Sequence, residues 1–288
     1  MLFSSSRLCG PLYAILASLM FASMGVAVRY SSVTLPNEVI VFLRNGFGLL
    51  FLLPWLFRNG LKNIPTKRLP EQIFRAFSGL AAMYCFFYAI AHLKLAEAVL
   101  LNFSAPLFIP LIALIWLGES VPPRRILAII IGFAGICLIL KPGVMLLKPA
   151  AFIGLASAVF AALAMVTIRR MSDTEPAIRI VFYFSMISTL VSAVPLLWKW
   201  QLPALDTILV MALAGIAATM GQLLLTFSYS LSPAAQIGPY TYSTVIFAAL
   251  YGWLFWSETP DILTIIGAIL IGIAGIVAMQ MKAAPIPD

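Results

Sequence analysis

Apolar residues fill this chain in long runs, not in the alternation of a half-buried strand or the one-sided stripe of a surface helix. Windows almost free of charge, bounded by Pro, Gly and charged residues, recur at roughly 10–29, 36–57, 74–92, 96–117, 125–141, 150–169, 177–198, 207–229, 233–256 and 262–280. Each approaches the roughly 20 residues that a helix needs to cross a hydrocarbon layer, so the pattern predicts ten membrane-spanning helices. The uncharged stretch 207–257 is too long for one helix and is divided at Ser230-Leu231-Ser232-Pro233, where proline disfavours continuation. The first window follows Arg7 as a signal peptide would. Its apolar run of about 20 residues exceeds the about 7–15 of a signal segment and no clear cleavage site follows, so it is read as a span.

Composition agrees: 62% of residues are apolar and 10% charged, against about 45–50% and about 25% in soluble domains. An ordinary soluble enzyme is excluded. Ten spans leave about 8 residues for each connection or tail, which is no room for a soluble domain. The net charge of +8 could suggest nucleic acid, but its distribution gives another account. With the N-terminus inside, the inner segments hold Arg7, Arg58, Lys62, Lys67, Arg68, Arg75, Arg124, Arg125, Arg169, Arg170, Arg179 and Lys282, and the outer ones Arg29, Lys94, Lys141, Lys148 and Lys199. Arg44 is left within a span. This 12 to 5 bias places both termini in the cytoplasm and accounts for the charge without nucleic acid. Cys9, Cys85 and Cys137 have neither disulfide nor zinc spacing and read as small buried hydrophobes.

A shift of 139 residues lays Leu16-Ala17-Ser18 on Leu155-Ala156-Ser157, Phe21-Ala22 on Phe160-Ala161, and Glu119 on Glu258; one residue further, Gly132-Phe133-Ala134-Gly135-Ile136 falls on Gly272-Ile273-Ala274-Gly275-Ile276. Residues 10–141 and 150–280 thus read as one five-helix unit written twice. Five is odd, so the second copy enters the membrane from the opposite face. Such inverted repeats can exchange conformations and open a midplane site to each side in turn. Gly132/Gly135 and Gly272/Gly275 are expected to let helices pack closely. Glu119 and Glu258 are expected to bind backbone amides that open the next helix.

The segments Ala105-Pro106-Leu107, Leu117-Gly118-Glu119 and Gly132-Phe133-Ala134-Gly135, with their echo at Tyr242, Trp256-Ser257-Glu258 and Gly272-Ile273-Ala274-Gly275, resemble the EamA-type members of the drug/metabolite transporter superfamily. The resemblance covers nearly the whole chain as two EamA units. It implies ten helices, an inner-membrane location, a central cavity and movement of small organic metabolites. Arg44-Asn45, Tyr84, Tyr88 and Ala105-Pro106-Leu107 look most like the branch that includes S-adenosylmethionine uptake proteins; other relatives export amino acids or metallophores, or import riboflavin.

Arg44 lies about 12 Å into its span at 1.5 Å per residue, where an unpaired charge is expensive. Either it faces a cavity and holds a substrate carboxylate, or it ties helix-end carbonyls or an acid such as Glu97. Glu97 reads either as that partner or as a solvated helix-start carboxylate. Asn102 and Ser104 follow on the fourth span, and the ninth carries Gln236, Tyr240 and Tyr242. With Tyr84 and Tyr88 on the third span and Gln222 on the eighth, they would make a polar, aromatic lining suited to a zwitterionic or aromatic metabolite. Trp55, Trp116, Trp198, Trp200, Trp253 and Trp256 suit interfacial belts.

His92 is the only histidine, so no HExxH zinc site or Ser/His/Asp arrangement can be built, and no nucleotide loop is present. No cofactor or metal is called for. The reading is an all-α secondary transporter, monomer or homodimer, moving a metabolite across the bilayer of the bacterial inner membrane by alternating access. Export is favoured and uptake is the alternative; an intramembrane enzyme on a lipid-like substrate is the reading from another class, and a channel comes third. Reporter fusions after residues 65, 122 and 285 should report cytoplasm and those after 145 and 258 the outside. Outside activity at both 122 and 258 would remove the inverted repeat.

Overall fold

The computed structural model describes residues 6–59, 65–117, 123–140, 148–171, 174–231 and 240–280. Every regular element among them is a helix: α1 (Ser6–Ser31), α2 (Asn37–Asn59), α3 (Leu69–His92), α4 (Leu95–Asn102), α5 (Ala105–Leu117), α6 (Pro123–Leu140), α7 (Pro149–Met171), α8 (Ala177–Ala193), α9 (Leu196–Lys199), α10 (Leu205–Leu231), α11 (Ser243–Trp256) and α12 (Ile262–Gln280). Gly10–Ser31, Asn37–Pro54, Leu69–His92, Pro149–Ile168 and Leu205–Leu225 are long and apolar enough to cross a membrane. Shorter apolar helices occupy Leu95–Ile109, Ile129–Ile139, Ile178–Ala193, Ser243–Trp256 and Ile262–Ala274. The end of α10 at Leu231 falls within the cut expected at 230–233.

Two expected spans are broken instead of continuous, and proline is the cause of each. In the window 96–117, Pro106 has no N–H and its ring opposes the carbonyl of Asn102, so α4 stops at Asn102 and α5 starts at Ala105. The turn between them is held by the Ser104 hydroxyl, which donates to the Leu101 carbonyl at 2.5 Å. In the window 177–198, α8 ends at Ala193, and a turn through Pro195 leads into the short α9. The first break has an echo: 139 residues on, Ser243 donates to the Tyr240 carbonyl at 2.6 Å, just where α11 begins.

The three most closely packed helix pairs are α1 with α10, α3 with α7, and α6 with α12. Each joins the first half of the chain to the second. The repeat shift carries α1 onto α7 and α3 onto α10, so it converts the first pair into the second and the third into itself. A single apolar cluster runs through these contacts, with Ile40, Ile90, Leu95, Leu100, Leu101, Ile136, Met211 and Ile271 among its largest sealed side chains.

Close approach is concentrated where α6 crosses α12. A Cβ at Gly135 would lie 2.8 Å from the Gly267 carbonyl oxygen, and one at Gly267 would lie 2.7 Å from that of Gly135. Here two backbones touch, as small residues permit. Gly272, expected in the same role, has nothing within 4 Å of its missing Cβ, which corrects that reading. Gly267→Ala should therefore force the helices apart and cost about 1–3 kcal/mol, whereas Gly272→Ala should leave thermal unfolding in detergent unchanged or slightly raised.

Candidate functional site

The sequence-predicted residues fall into two groups. The first surrounds the paired helix breaks. Asn102, the last residue of α4, donates through Nδ2 to the Ser157 hydroxyl of α7 at 3.0 Å, and Ser157 in turn donates to the Gly154 carbonyl at 2.6 Å. At the position 139 residues away, Ser18 of α1 donates towards the Tyr240 and Thr241 carbonyls at 3.4 and 3.3 Å. Phe103 and its counterpart Tyr242 meet across the halves with ring centroids 6.1 Å apart. The Tyr242 hydroxyl donates to the Ile271 carbonyl at 3.4 Å, and the Tyr240 side chain is exposed. Ser104 is fully buried and spends its hydroxyl on its own turn. Gln222 is partly buried on α10, and Gln236 lies outside the described residues.

The second group surrounds Arg44, which is 5% exposed. Its Nη1 donates to Asn45 Oδ1 at 2.8 Å, while its Nε meets no protein acceptor among the described residues. The proposed tie to Glu97 is not formed. The helix α3 starts at Leu69, ahead of the expected 74, so Arg75 sits well inside it instead of in an inner loop. The basic bias then becomes 11 to 5 once Arg75 leaves the count of 12, and Arg44 is no longer the sole basic residue within a span. The Arg75 guanidinium lies 4.0 Å above the Phe184 ring of α8, in room that Gly79 leaves open: a Cβ there would overlap both. Its Nε and Nη1 are sealed from solvent with no hydrogen-bond partner among the described residues, as are both side-chain polar atoms of Gln72, Nδ2 of Asn45 and Oγ of Ser188. A single arginine at a helix centre costs roughly 2.5–3.5 kcal/mol to insert. Two with no carboxylate partner among the described residues are a large unbalanced cost.

Tyr84 and Tyr88 lie further along α3. The Tyr84 hydroxyl is buried without a partner among the described residues, and Tyr88 stacks on His92 at 4.1 Å. The Asn37 side chain donates to the Tyr84 carbonyl at 3.0 Å, fixing the register of α2 against α3.

At the outer end of the bundle, as the basic bias orients it, Arg29 of α1 is paired with Glu258 beyond α11. Arg29 also donates to the Leu93 carbonyl at 2.8 Å and lies 4.8 Å above the Trp256 ring. Glu258 accepts the Leu95 N–H at 3.0 Å. It therefore caps α4, not the helix that follows it; α12 is opened by Asp261, which accepts from Thr264 N–H at 2.9 Å. Glu119 lies outside the described residues. Ser257 makes the turn possible with φ of 52°, and Lys94 adds a bond to the Thr259 carbonyl at 2.8 Å. Glu97 is 4% exposed, which overturns its reading as a solvated carboxylate; with Lys94, Glu258 and Thr264 it borders a pocket of water size. A larger groove of 740 Å³ opens between α1, α10 and α11, but its walls, including Met20, Leu213, Met220 and Phe255, are apolar and suit a lipid chain better than a charged solute.

Both halves of this molecule match one family model, EamA-like transporter, over residues 8–141 and 148–280. The chain belongs to the EamA-like transporter family. This EamA protein is 38% identical over 277 residues to the pseudopaline exporter CntI of Pseudomonas aeruginosa, covering 95% of this chain and 96% of the relative. It is 25% identical to an S-adenosylmethionine uptake transporter of Rickettsia bellii, covering 85% and 84%. A solved crystal structure 18% identical in sequence superposes with a TM-score of 0.65 over 93% of this chain and 96% of the other, which shares the fold. The protein is a multi-pass membrane transporter. Its likeness to the uptake branch, noted on Arg44-Asn45 and Tyr84, is weaker over the whole chain than its likeness to the exporter.

Sequence reasoning missed Arg75, Gln72, Asn45 and Ser188 as a group. The spacing Gln72-x-x-Arg75 puts two polar residues on one helix face and was a usable signal. Ser18 and Ser157 stood within the repeat motif without a role. At the other end of the bundle, Glu175 accepts from Thr66 at 2.7 Å and Arg179 at 2.8 Å. Burial pushes this carboxyl up, but the hydrogen bonds from Arg179 and Thr66 and the nearby guanidinium outweigh it and hold it below its usual range. A depressed carboxylate stabilises above its unfolded value, near ~4.3, and that stability fades as pH falls through the folded value. Glu175→Gln should thus melt below wild type at pH 7, and the gap should close in acid.

Proposed function

We propose that this transporter exports a small organic metabolite across the bacterial inner membrane by alternating access between two inverted five-helix units, residues 10–141 and 150–280, with ten spans and both termini in the cytoplasm. The observation that carries this reading is the pairing of α1 with α10, α3 with α7 and α6 with α12, since two units related by a two-fold axis in the membrane plane make reciprocal contacts of this kind. In this reading the Arg29–Glu258 pair closes the outer end, while Arg44, Tyr84 and Tyr88 on one side, and Asn102, Ser104, Gln222, Gln236, Tyr240 and Tyr242 on the other, line the path. Cargo is bound and released unchanged.

Export is favoured by the 38% identity to an exporter against 25% to an uptake protein. Uptake of a metabolite such as S-adenosylmethionine or riboflavin is the second reading. Purified protein in vesicles should move its cargo without ATP and return it unmodified. A chemically altered product would favour a membrane enzyme acting on a lipid-like substrate. Asn102→Ala should weaken binding with little unfolding, because Ser157 keeps its bond to Gly154.

A further inference from the structure

Seven buried side-chain atoms at the meeting of α2, α3 and α8 have no partner among the described residues: Arg44 Nε, Asn45 Nδ2, Gln72 Nε2 and Oε1, Arg75 Nε and Nη1, and Ser188 Oγ. Five of them are nitrogen donors; the one amide oxygen and the one hydroxyl are the rest. Arg44 is 5% exposed, Asn45 fully buried, Gln72 1% exposed and Ser188 fully buried. A set so rich in donors is built for acceptors. The two cations also belong to one place. From the Asn37–Tyr84 bond, Arg44 lies seven residues down α2 and Arg75 nine residues down α3, about 10 and 14 Å at 1.5 Å per residue, so the antiparallel helices bring them to nearly one level. Phe184 offers Arg75 one aromatic face, which offsets part of one charge. No carboxylate among the described residues pairs with either arginine.

Arg44 is buried and Arg75 half-buried with its Nε and Nη1 sealed, and two like charges at nearly one level with unused donors call for a counter-charge of matching size. One carboxylate would leave a net buried cation; two acidic groups, or one doubly charged group, would not. Arginine suits this role because its planar fork meets carboxylate or phosphate oxygens along two bonds. We infer that Arg44 and Arg75, with Gln72, Asn45 and Ser188, form a binding site for a small organic dianion, a dicarboxylate or a phosphate ester, which is the acidic part of the transported metabolite. The inference rests on the transporter reading for its purpose but not for its chemistry. The second half of the chain has Tyr183 and Ala214 at the shifted positions of Arg44 and Arg75, so the site is held by one half alone.

The test uses the full chain in detergent, with thermal unfolding read against succinate, glutarate and inorganic phosphate on one side and acetate and glycine on the other. Native-state binding raises the melting temperature. The dianions should raise it at concentrations where acetate and glycine do not. Arg75→Gln should melt higher than wild type without ligand, since it removes a charge with no carboxylate beside it among the described residues, and should bind dianions at least tenfold more weakly; Arg75→Lys should keep part of the binding. A purely structural arginine would give a lower melting temperature and unchanged binding. If the arginine variants fail to fold, Gln72→Met, which keeps the volume, should still weaken dianion binding. Equal shifts by acetate and the dianions, or no shift by any dianion, would overturn the site. A stronger response to phosphate than to the dicarboxylates supports it and identifies the head group. Dianion binding without movement in vesicles contradicts the transporter reading and leaves the site standing; movement of glycine with no dianion binding does the reverse.

Discussion

Helices surrounded by lipid gain nothing from hiding apolar side chains against one another, because the surroundings are as apolar as the contact. What holds this bundle is therefore close backbone packing and a small number of polar ties, and both lie between the two halves of the chain. Gly135 against Gly267 lets α6 and α12 touch. Where α2 meets α10, the missing Cβ of Gly215 would lie 2.8 Å from the Gly48 nitrogen. The ties of Asn102 to Ser157 and of Ser18 to the Tyr240–Thr241 backbone fasten each half to the broken helix of the other. Polar groups that such ties do not satisfy stand out in this setting, since an unsatisfied group in hydrocarbon is costly. The Arg44–Arg75 cluster is conspicuous for that reason.

The same constraint explains how much of the molecule was legible in the chain. Length and apolarity locate α1, α2, α3, α7 and α10 because every residue of a lipid-facing helix carries the signal. The doubled motif carries the repeat because symmetry writes the same contact twice, as Ser104 and Ser243 do at the two breaks. The breaks themselves were less legible: Pro106 and Pro195 sit inside apolar windows, where prolines are common enough in membrane helices to be passed over. The place of Arg75 inside α3 was hidden by where that helix starts, since a loop arginine and a helix arginine near a span end look alike in sequence. Which helix Glu258 caps could not be read from spacing either. Its turn through Ser257 sends it back to Leu95, 163 residues away.

A transporter built this way needs ends that open, and the end that the basic bias places outside is held, among the described residues, by the groups around Arg29 and Glu258. Arg29 comes from the first half and Glu258 from the second, and around them Lys94, Leu93, Leu95 and Trp256 complete a single knot. The knot is partly exposed, with side-chain accessibilities of 17% and 14% for the pair, so water can reach it when it parts. Arg44 and Arg75 lie deeper, between α2, α3 and α8, where a bound anion would be shut off from that end while the knot is tied.

In the proposed transport cycle, cargo passes only when the Arg29–Glu258 knot opens. In a background with Cys9, Cys85 and Cys137 replaced, Arg29→Cys and Glu258→Cys can be joined by a reducible thiol cross-linker and transport measured in vesicles before and after reduction. The account predicts that the joined protein does not transport and that reduction restores the rate of the unjoined double variant. Undiminished transport by the fully joined protein would contradict it.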